Sequence, residues 1–170
     1  MIDENGNKTE PVNNTQAFYR LINNPLKFSL FLLQKLPSAY FSGVRVLQAN
    51  EEVCITTVPY KWFSTNPFRS TYFACLSMAA EMSTGVLAMA YLYGLKPGVS
   101  MLVIKVEGHF FKEATGKTYF KCTEGQKIKE AIQAAIETGE SHHINISSLG
   151  TNTNGEKVAE FTVTWSFKRK

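Results

Sequence analysis

The plainest pattern in the chain lies near its end, where Phe161, Val163, Trp165 and Phe167 alternate with Glu160, Thr162, Thr164 and Ser166. Strict alternation marks a strand with one buried face. Further strands are predicted over residues 43–48, 53–59, 100–112, 117–123 and 142–148, and the first two form a hairpin around Ala49-Asn50-Glu51-Glu52. Helical spacing takes over in four places. A weaker stretch runs from Thr15 to Ile22, and Asn24-Pro25, a cap followed by proline, opens a helix that Pro37 stops. Residues 126–138 set Ile128, Ile132, Ala135 and Ile136 on one face. The fourth stretch, residues 70–94, reads STYFACLSMAAEMSTGVLAMAYLYG and is nearly all small or apolar, with a single carboxylate, Glu81.

A helix so apolar all round must be covered on nearly every side. Flanked by strands on both sides in sequence, it predicts an α+β architecture in which a curved antiparallel sheet wraps around it. An open α+β sandwich and a helix-grip fold of the lipid-binding kind are the alternatives. Three segments follow from this reading: residues 1–14, polar and expected to be flexible; a helical extension over 15–40; and the main domain over 41–170. Within the extension, LKFSLFLLQKL (26–36) is apolar on more than one face and needs a cover. Packing on its own protein is the expectation, ahead of a subunit neighbour or a membrane surface, because no basic face accompanies the apolar one. Neither apolar stretch is expected to span a bilayer. The shorter falls well below the roughly 20 residues required, and a carboxylate near the centre of the longer would cost about 2.5–3.5 kcal/mol on insertion.

Composition narrows the function. The 170 residues suit one domain with a sizeable core, and a net charge of +4 with one dense basic run, Lys168-Arg169-Lys170, does not make a nucleic-acid footprint. Cys54, Cys75 and Cys122 are odd in number and widely spaced, which reads as reduced thiols in a cytoplasmic protein. No metal is expected: His142 and His143 would face opposite sides of a strand, and His109 reads as a packed or hydrogen-bonded histidine. The chain contains no serine nucleophile elbow, phosphate-binding glycine loop or HExxH sequence.

The stretch NPFRSTYFACLSMAAE, residues 66–81, resembles the signature of hotdog-fold thioesterases, in particular their phenylacetate-type (PaaI-like) branch and its uncharacterised relatives. In that signature an Asn opens a loop, a His-Gly-Gly turn enters the central helix, and an acidic residue follows fifteen positions after the Asn. Asn66 and Glu81 have that spacing. The strand order over residues 41–168 agrees with the hotdog fold, a sheet wrapped around a long helix. The departure is Tyr72-Phe73-Ala74 in place of His-Gly-Gly. In catalytic members that turn exposes backbone N–H groups at the helix start to the thioester carbonyl, where they stabilise an oxyanion.

Glu81 can also be read without the resemblance. It shares a helix face with Ala74, Ser77, Met78, Thr84, Gly85 and Ala88, a stripe of small and hydroxylated residues that could line an acyl channel or make a close helix-to-sheet contact around a structural glutamate. If the site works, the resemblance implies an acyl-CoA thioesterase. Glu81 would act as general base or nucleophile, Asn66 would orient the loop or the water, and the amides of Phe73 and Ala74 would hold the oxyanion. Tyr72, Ser77, Thr84 and Arg69 would contact substrate, with Lys61, Arg69 and Lys112 as candidates for its phosphates. The resemblance implies no cofactor beyond the coenzyme A of the substrate, and a homodimer or dimer of dimers with the pantetheine arm between subunits. The alternatives are a non-catalytic hotdog protein that binds acyl-CoA, a fatty acid or another apolar ligand, and a scaffold with no ligand.

Overall fold

The computed structural model of the protein describes residues 14–170, so most of the expected flexible segment lies outside the described residues. Three helices come first: α1 (Thr15–Ile22), α2 (Pro25–Lys35) and α3 (Pro37–Ser42). Asn24 caps α2 by accepting the N–H of Lys27 through its side chain, with Pro25 in the first turn. Pro37 ends α2 as the sequence predicts, but it also opens α3, because a proline that cannot continue one helix fits the first turn of the next. Gly43, at φ 79°, turns the chain out of α3 into the sheet.

Six strands form one antiparallel sheet: β1 (Arg45–Ala49), β2 (Cys54–Val58), β3 (Val99–Phe110), β4 (Thr118–Cys122), β5 (His142–Thr151) and β6 (Lys157–Arg169), in spatial order β1-β2-β4-β5-β6-β3. The long helix α4 (Phe73–Leu92) crosses β2, β4, β5 and β6, while α1 and α3 cover its other side. By length and composition α4 could cross a membrane, yet most of it is buried against this sheet and these helices. A fifth helix, α5 (Gly125–Thr138), packs on β5 and β6. It begins so close to the β1–β2 turn that a Cβ on Gly125 would collide with the Glu51 carbonyl oxygen, so only glycine fits there.

The alternation in β6 buries Phe161, Val163, Trp165 and Phe167 beneath α4. Buried hydroxyls then tie helix to sheet. Thr56 donates to the Ala79 carbonyl at 2.6 Å, and the Ser83 and Ser148 hydroxyls meet at 2.7 Å. Because α4 is apolar on every face, such local pairs rather than an amphipathic stripe set its rotation.

Two expectations need correcting. His109 is not packed: β3 is an edge strand, and His109 stands exposed on it. The 26–36 helix is only partly covered by its own protein, which buries Phe28 and Leu32 and leaves Leu26, Leu30, Leu33 and Leu36 exposed. The neighbouring helices are too short to wrap more than one side of it.

Candidate functional site

The loop before α4 is held by Asn66. Its side-chain oxygen accepts the N–H groups of Phe68 (2.9 Å) and Ser70 (3.1 Å), its amide nitrogen donates to the Ser70 hydroxyl (3.0 Å), and its backbone N–H donates to the Ser70 carbonyl (2.9 Å). Asparagine satisfies the loop in a way few residues could, since it both accepts and donates from one short side chain. Arg69 takes the left-handed conformation inside this loop, φ 63°, with its side chain exposed. The strand-side anchor comes from Thr71, whose N–H and hydroxyl both donate to the Ala114 carbonyl, while the Tyr72 N–H donates to the Ser64 carbonyl at 2.7 Å.

Helix α4 therefore starts at a fixed point, yet its start is uncapped. Tyr72 occupies the cap position without a side-chain hydrogen bond to the helix. The Cys75 and Leu76 amides return to the Tyr72 carbonyl, but among the described residues the Phe73 and Ala74 N–H groups have no protein acceptor. Two free donors at a helix N-terminus make a favourable place for a developing negative charge.

The helix start borders a cleft of about 620 Å³ between the 66–73 loop and the 110–114 segment, lined by Asn66, Phe68, Tyr72, Phe73, Leu76, Phe110 and Phe111 among others; Ala74 does not line it. Phe73 is 57% exposed and its ring lies edge-on to Tyr72 at 4.8 Å, so it forms a wall of the cleft and does not plug it. Phe110 and Phe111 were not singled out in the sequence. Phe110 ends β3 and Phe111 follows it, and no local signal reports that the strand ends beside the 66–73 loop.

Glu81 lies two turns further along α4. Its carboxylate has no hydrogen-bond or ion-pair partner among the described residues, and burial pushes its pKa up to about 6. It borders a small apolar cavity of about 50 Å³ into which Phe18, Ile22, Phe28, Phe31 and Leu36 reach from the N-terminal helices. Gly85, one turn on, leaves room for it: a Cβ there would sit 3.1 Å from Oε1 of Glu81 and 3.3 Å from the Trp165 ring. Thr84 is fully buried. It donates to the Glu81 carbonyl at 2.8 Å and accepts from the Trp165 indole N–H at 2.9 Å, so its hydroxyl supports the turn that carries Glu81 and does not face the cleft. Ser77 remains half-buried on the stripe between Ala74 and Glu81.

The three cations considered for phosphate contacts are dispersed. Lys112 borders the cleft and pairs with Glu156 at 2.8 Å, Arg69 stands on the loop, and Lys61 reaches over Gly43. Among the described residues no group of three or more His, Cys, Asp or Glu side chains could hold a metal ion.

The architecture is the hotdog fold: a six-stranded antiparallel sheet, a long central helix and an N-terminal helical extension. No family model and no curated protein matches the sequence. Solved structures do match the fold. A protein of unknown function from Pseudomonas aeruginosa is 18% identical with a TM-score of 0.68, over 92% of this chain and 96% of its own. One of unknown function from Chlorobaculum tepidum is 14% identical with a TM-score of 0.71, over 86% and 97%. A thioesterase from Haemophilus influenzae is 13% identical with a TM-score of 0.59, over 82% and 88%.

Proposed function

We propose that the protein is a thioester hydrolase acting on an acyl-CoA, with Glu81 and the uncapped start of α4 as its working parts. The observation that carries this reading is the uncapped start of α4, where the Phe73 and Ala74 amides have no acceptor among the described residues and Phe73 lines the cleft. There they would polarise a thioester carbonyl and hold the oxyanion that forms when water, or the Glu81 carboxylate itself, attacks the carbonyl carbon. As general base, Glu81 takes the proton of the attacking water; as nucleophile, it forms a mixed anhydride that water then cleaves. In both cases collapse of the oxyanion expels the coenzyme A thiolate.

A second copy of the chain completes this arrangement. Ala74 and Glu81 are seven residues apart on one helix, about 10 Å along its axis, too far for one carbonyl carbon to engage both. The free edge of β3, twelve residues long with Leu102, Ile104 and Val106 exposed, favours antiparallel pairing with its own copy. A two-fold axis there sets two α4 helices side by side in opposite directions, so Glu81 of one copy approaches the helix start of the other. Asn66 shapes the loop, and Tyr72, Ser77 and Arg69 line the approach for the pantetheine arm. Buried free thiols at Cys54, Cys75 and Cys122 suit a cytoplasmic setting.

One observation favours the second reading, a non-catalytic binder of acyl-CoA or fatty acid: Tyr72 and Phe73 put aromatic surface where glycines would leave the backbone bare. Release of free coenzyme A from short, medium, long and aromatic acyl-CoAs, measured for the wild type and Glu81→Gln, separates the two. Turnover lost in the variant supports the hydrolase. Saturable binding without turnover in either protein supports the binder.

A further inference from the structure

The carboxylate of Glu81 borders a cavity that the chemistry above leaves unused. About 50 Å³ in volume, it lies where α4 meets the N-terminal helices, and Glu81 carries the only polar side chain in its lining. Half of its wall comes from outside the sheet and the central helix. Phe18 and Ile22 reach in from α1, and Phe28 and Phe31 from α2, where the two rings stack with centroids 5.9 Å apart. Met82 and Met89 border it from α4.

A thioester brings two arms to the group that attacks its carbonyl, and the lining of this cavity decides between them. The pantetheine arm carries two amides, whose N–H and C=O groups would find no partner among these side chains and would be costly to bury. A saturated chain has nothing to satisfy and is favoured by the same walls. Size sets the upper limit. At the roughly 10–15 Å³ that one water-sized group needs, 50 Å³ takes about three to five carbons beyond the carbonyl. A longer chain has to displace the stacked rings of α2, and Phe28, 3% exposed, is held in the core.

We propose that this cavity selects the substrate: unsubstituted aliphatic acyl groups of about four to six carbons, with Phe31 of α2 as the residue that sets the length limit. The proposal rests on the reading of Glu81 as the group at the thioester carbonyl. It goes beyond that reading by giving the N-terminal extension a function, since α1 and α2 supply walls that α4 alone does not. Phe31 is half-buried, so its ring can be trimmed without emptying the core that Phe28 and Leu32 fill. Met89 is half-buried as well, and its flexible thioether lets the facing wall adapt to the chain.

The test is kcat/KM on acetyl-, butanoyl-, hexanoyl-, octanoyl- and dodecanoyl-CoA. In parallel, titration calorimetry gives the affinity of S-alkyl-CoA thioethers of matching chain length, which cannot be hydrolysed. The wild type is expected to prefer butanoyl- or hexanoyl-CoA, to fall about tenfold or more at octanoyl-CoA, and to bind the thioethers in the same order. 3-Hydroxybutanoyl-CoA should react about tenfold to a hundredfold more slowly than butanoyl-CoA. Phe31→Ala should raise octanoyl-CoA relative to acetyl-CoA about tenfold. Acetyl-CoA is too short to reach the ring and serves as the internal standard, because a general loss of structure lowers every chain length alike. Met89→Ala, on the facing wall, should move the limit the same way and keeps the test open if Phe31→Ala does not fold. A wild type that prefers the long chains, that accepts 3-hydroxybutanoyl- as readily as butanoyl-CoA, or whose chain-length order neither variant moves overturns the proposal and leaves the hydrolase reading standing. Thioether binding with the expected order and shift, but no turnover of any acyl-CoA, overturns the hydrolase reading and keeps the cavity as the acyl site. Neither turnover nor thioether binding overturns both.

Discussion

The two halves of α4 are made of the same kinds of residue and are treated in opposite ways. From Met82 to Tyr91 nearly every side chain is buried and every hydroxyl is spoken for: Ser83 bonds to Ser148, and Thr84 bonds to Trp165 and its own helix. From Tyr72 to Glu81 the cap is missing, an aromatic pair stands exposed, and among the described residues two amides lack acceptors and a carboxylate has no partner. These groups are left without protein partners at a partly exposed helix start, whereas a few residues on the polar groups are paired inside the protein. The contrast separates a half that holds the sheet from a half whose polar groups are left open, as the proposed function requires.

The largest effect expected from breaking this contrast is on turnover. Glu81→Gln should lower the rate of thioester hydrolysis by roughly a hundredfold to ten-thousandfold, while circular dichroism and melting show a folded protein. In the sealed half the reverse should hold. Leu87→Ala empties a fully buried site and should cost about 2–5 kcal/mol in a denaturant titration, with little change in the activity of the molecules that remain folded.

Gly85→Ala tests the boundary between the halves. A Cβ placed 3.1 Å from the Glu81 carboxylate and 3.3 Å from Trp165 should cost about 1–3 kcal/mol in the same titration and reduce turnover more than substrate binding. Ser83→Ala should cost about 1–3 kcal/mol by leaving the Ser148 hydroxyl without its partner; adding Ser148→Ala should recover much of it.

The smallest effect is pH-linked. The folded-state pKa of Glu81, about 6 against an ordinary 4.5, means that the native state holds this proton more tightly than the unfolded chain. Its contribution to stability is therefore greatest below pH 4.5, falls as pH rises from 4.5 to 6, and levels off above. The loss is up to about 2 kcal/mol. Glu81→Gln should remove that part of the profile and melt higher than the wild type at neutral pH. Turnover, which needs the carboxylate ionised, should rise with pH through about 6.

Much of the fold was legible because its signals are local. The period-two alternation of Phe161 to Phe167 is a strand whatever surrounds it, Asn24-Pro25 starts a helix by its own chemistry, and a nearly polar-free run of twenty residues must be central. Asn66 and Glu81 were legible by spacing and by the oddity of one carboxylate in an apolar helix. Other features required contacts distant in sequence. Thr84 shares a helix face with Glu81, but only Trp165, 81 residues away, decides that its hydroxyl points inward. The role of Gly85 depends on that same ring, and Phe110 and Phe111 enter the cleft because a strand ends beside the loop held by Asn66.

By itself the sequence determined four of the five α-helices described, the strands, the order in which they follow, and the presence of a carboxylate that burial would make unusual, because each follows from the chemistry of residues close together along the chain; α3 was not among them. Tertiary structure alone decided that Glu81 has no partner among the described residues, that the start of α4 is left uncapped beside an open cleft, and that these residues cover α2 on one side only. Pairing and burial are properties of what arrives from elsewhere in the chain, and periodicity does not encode the arrival.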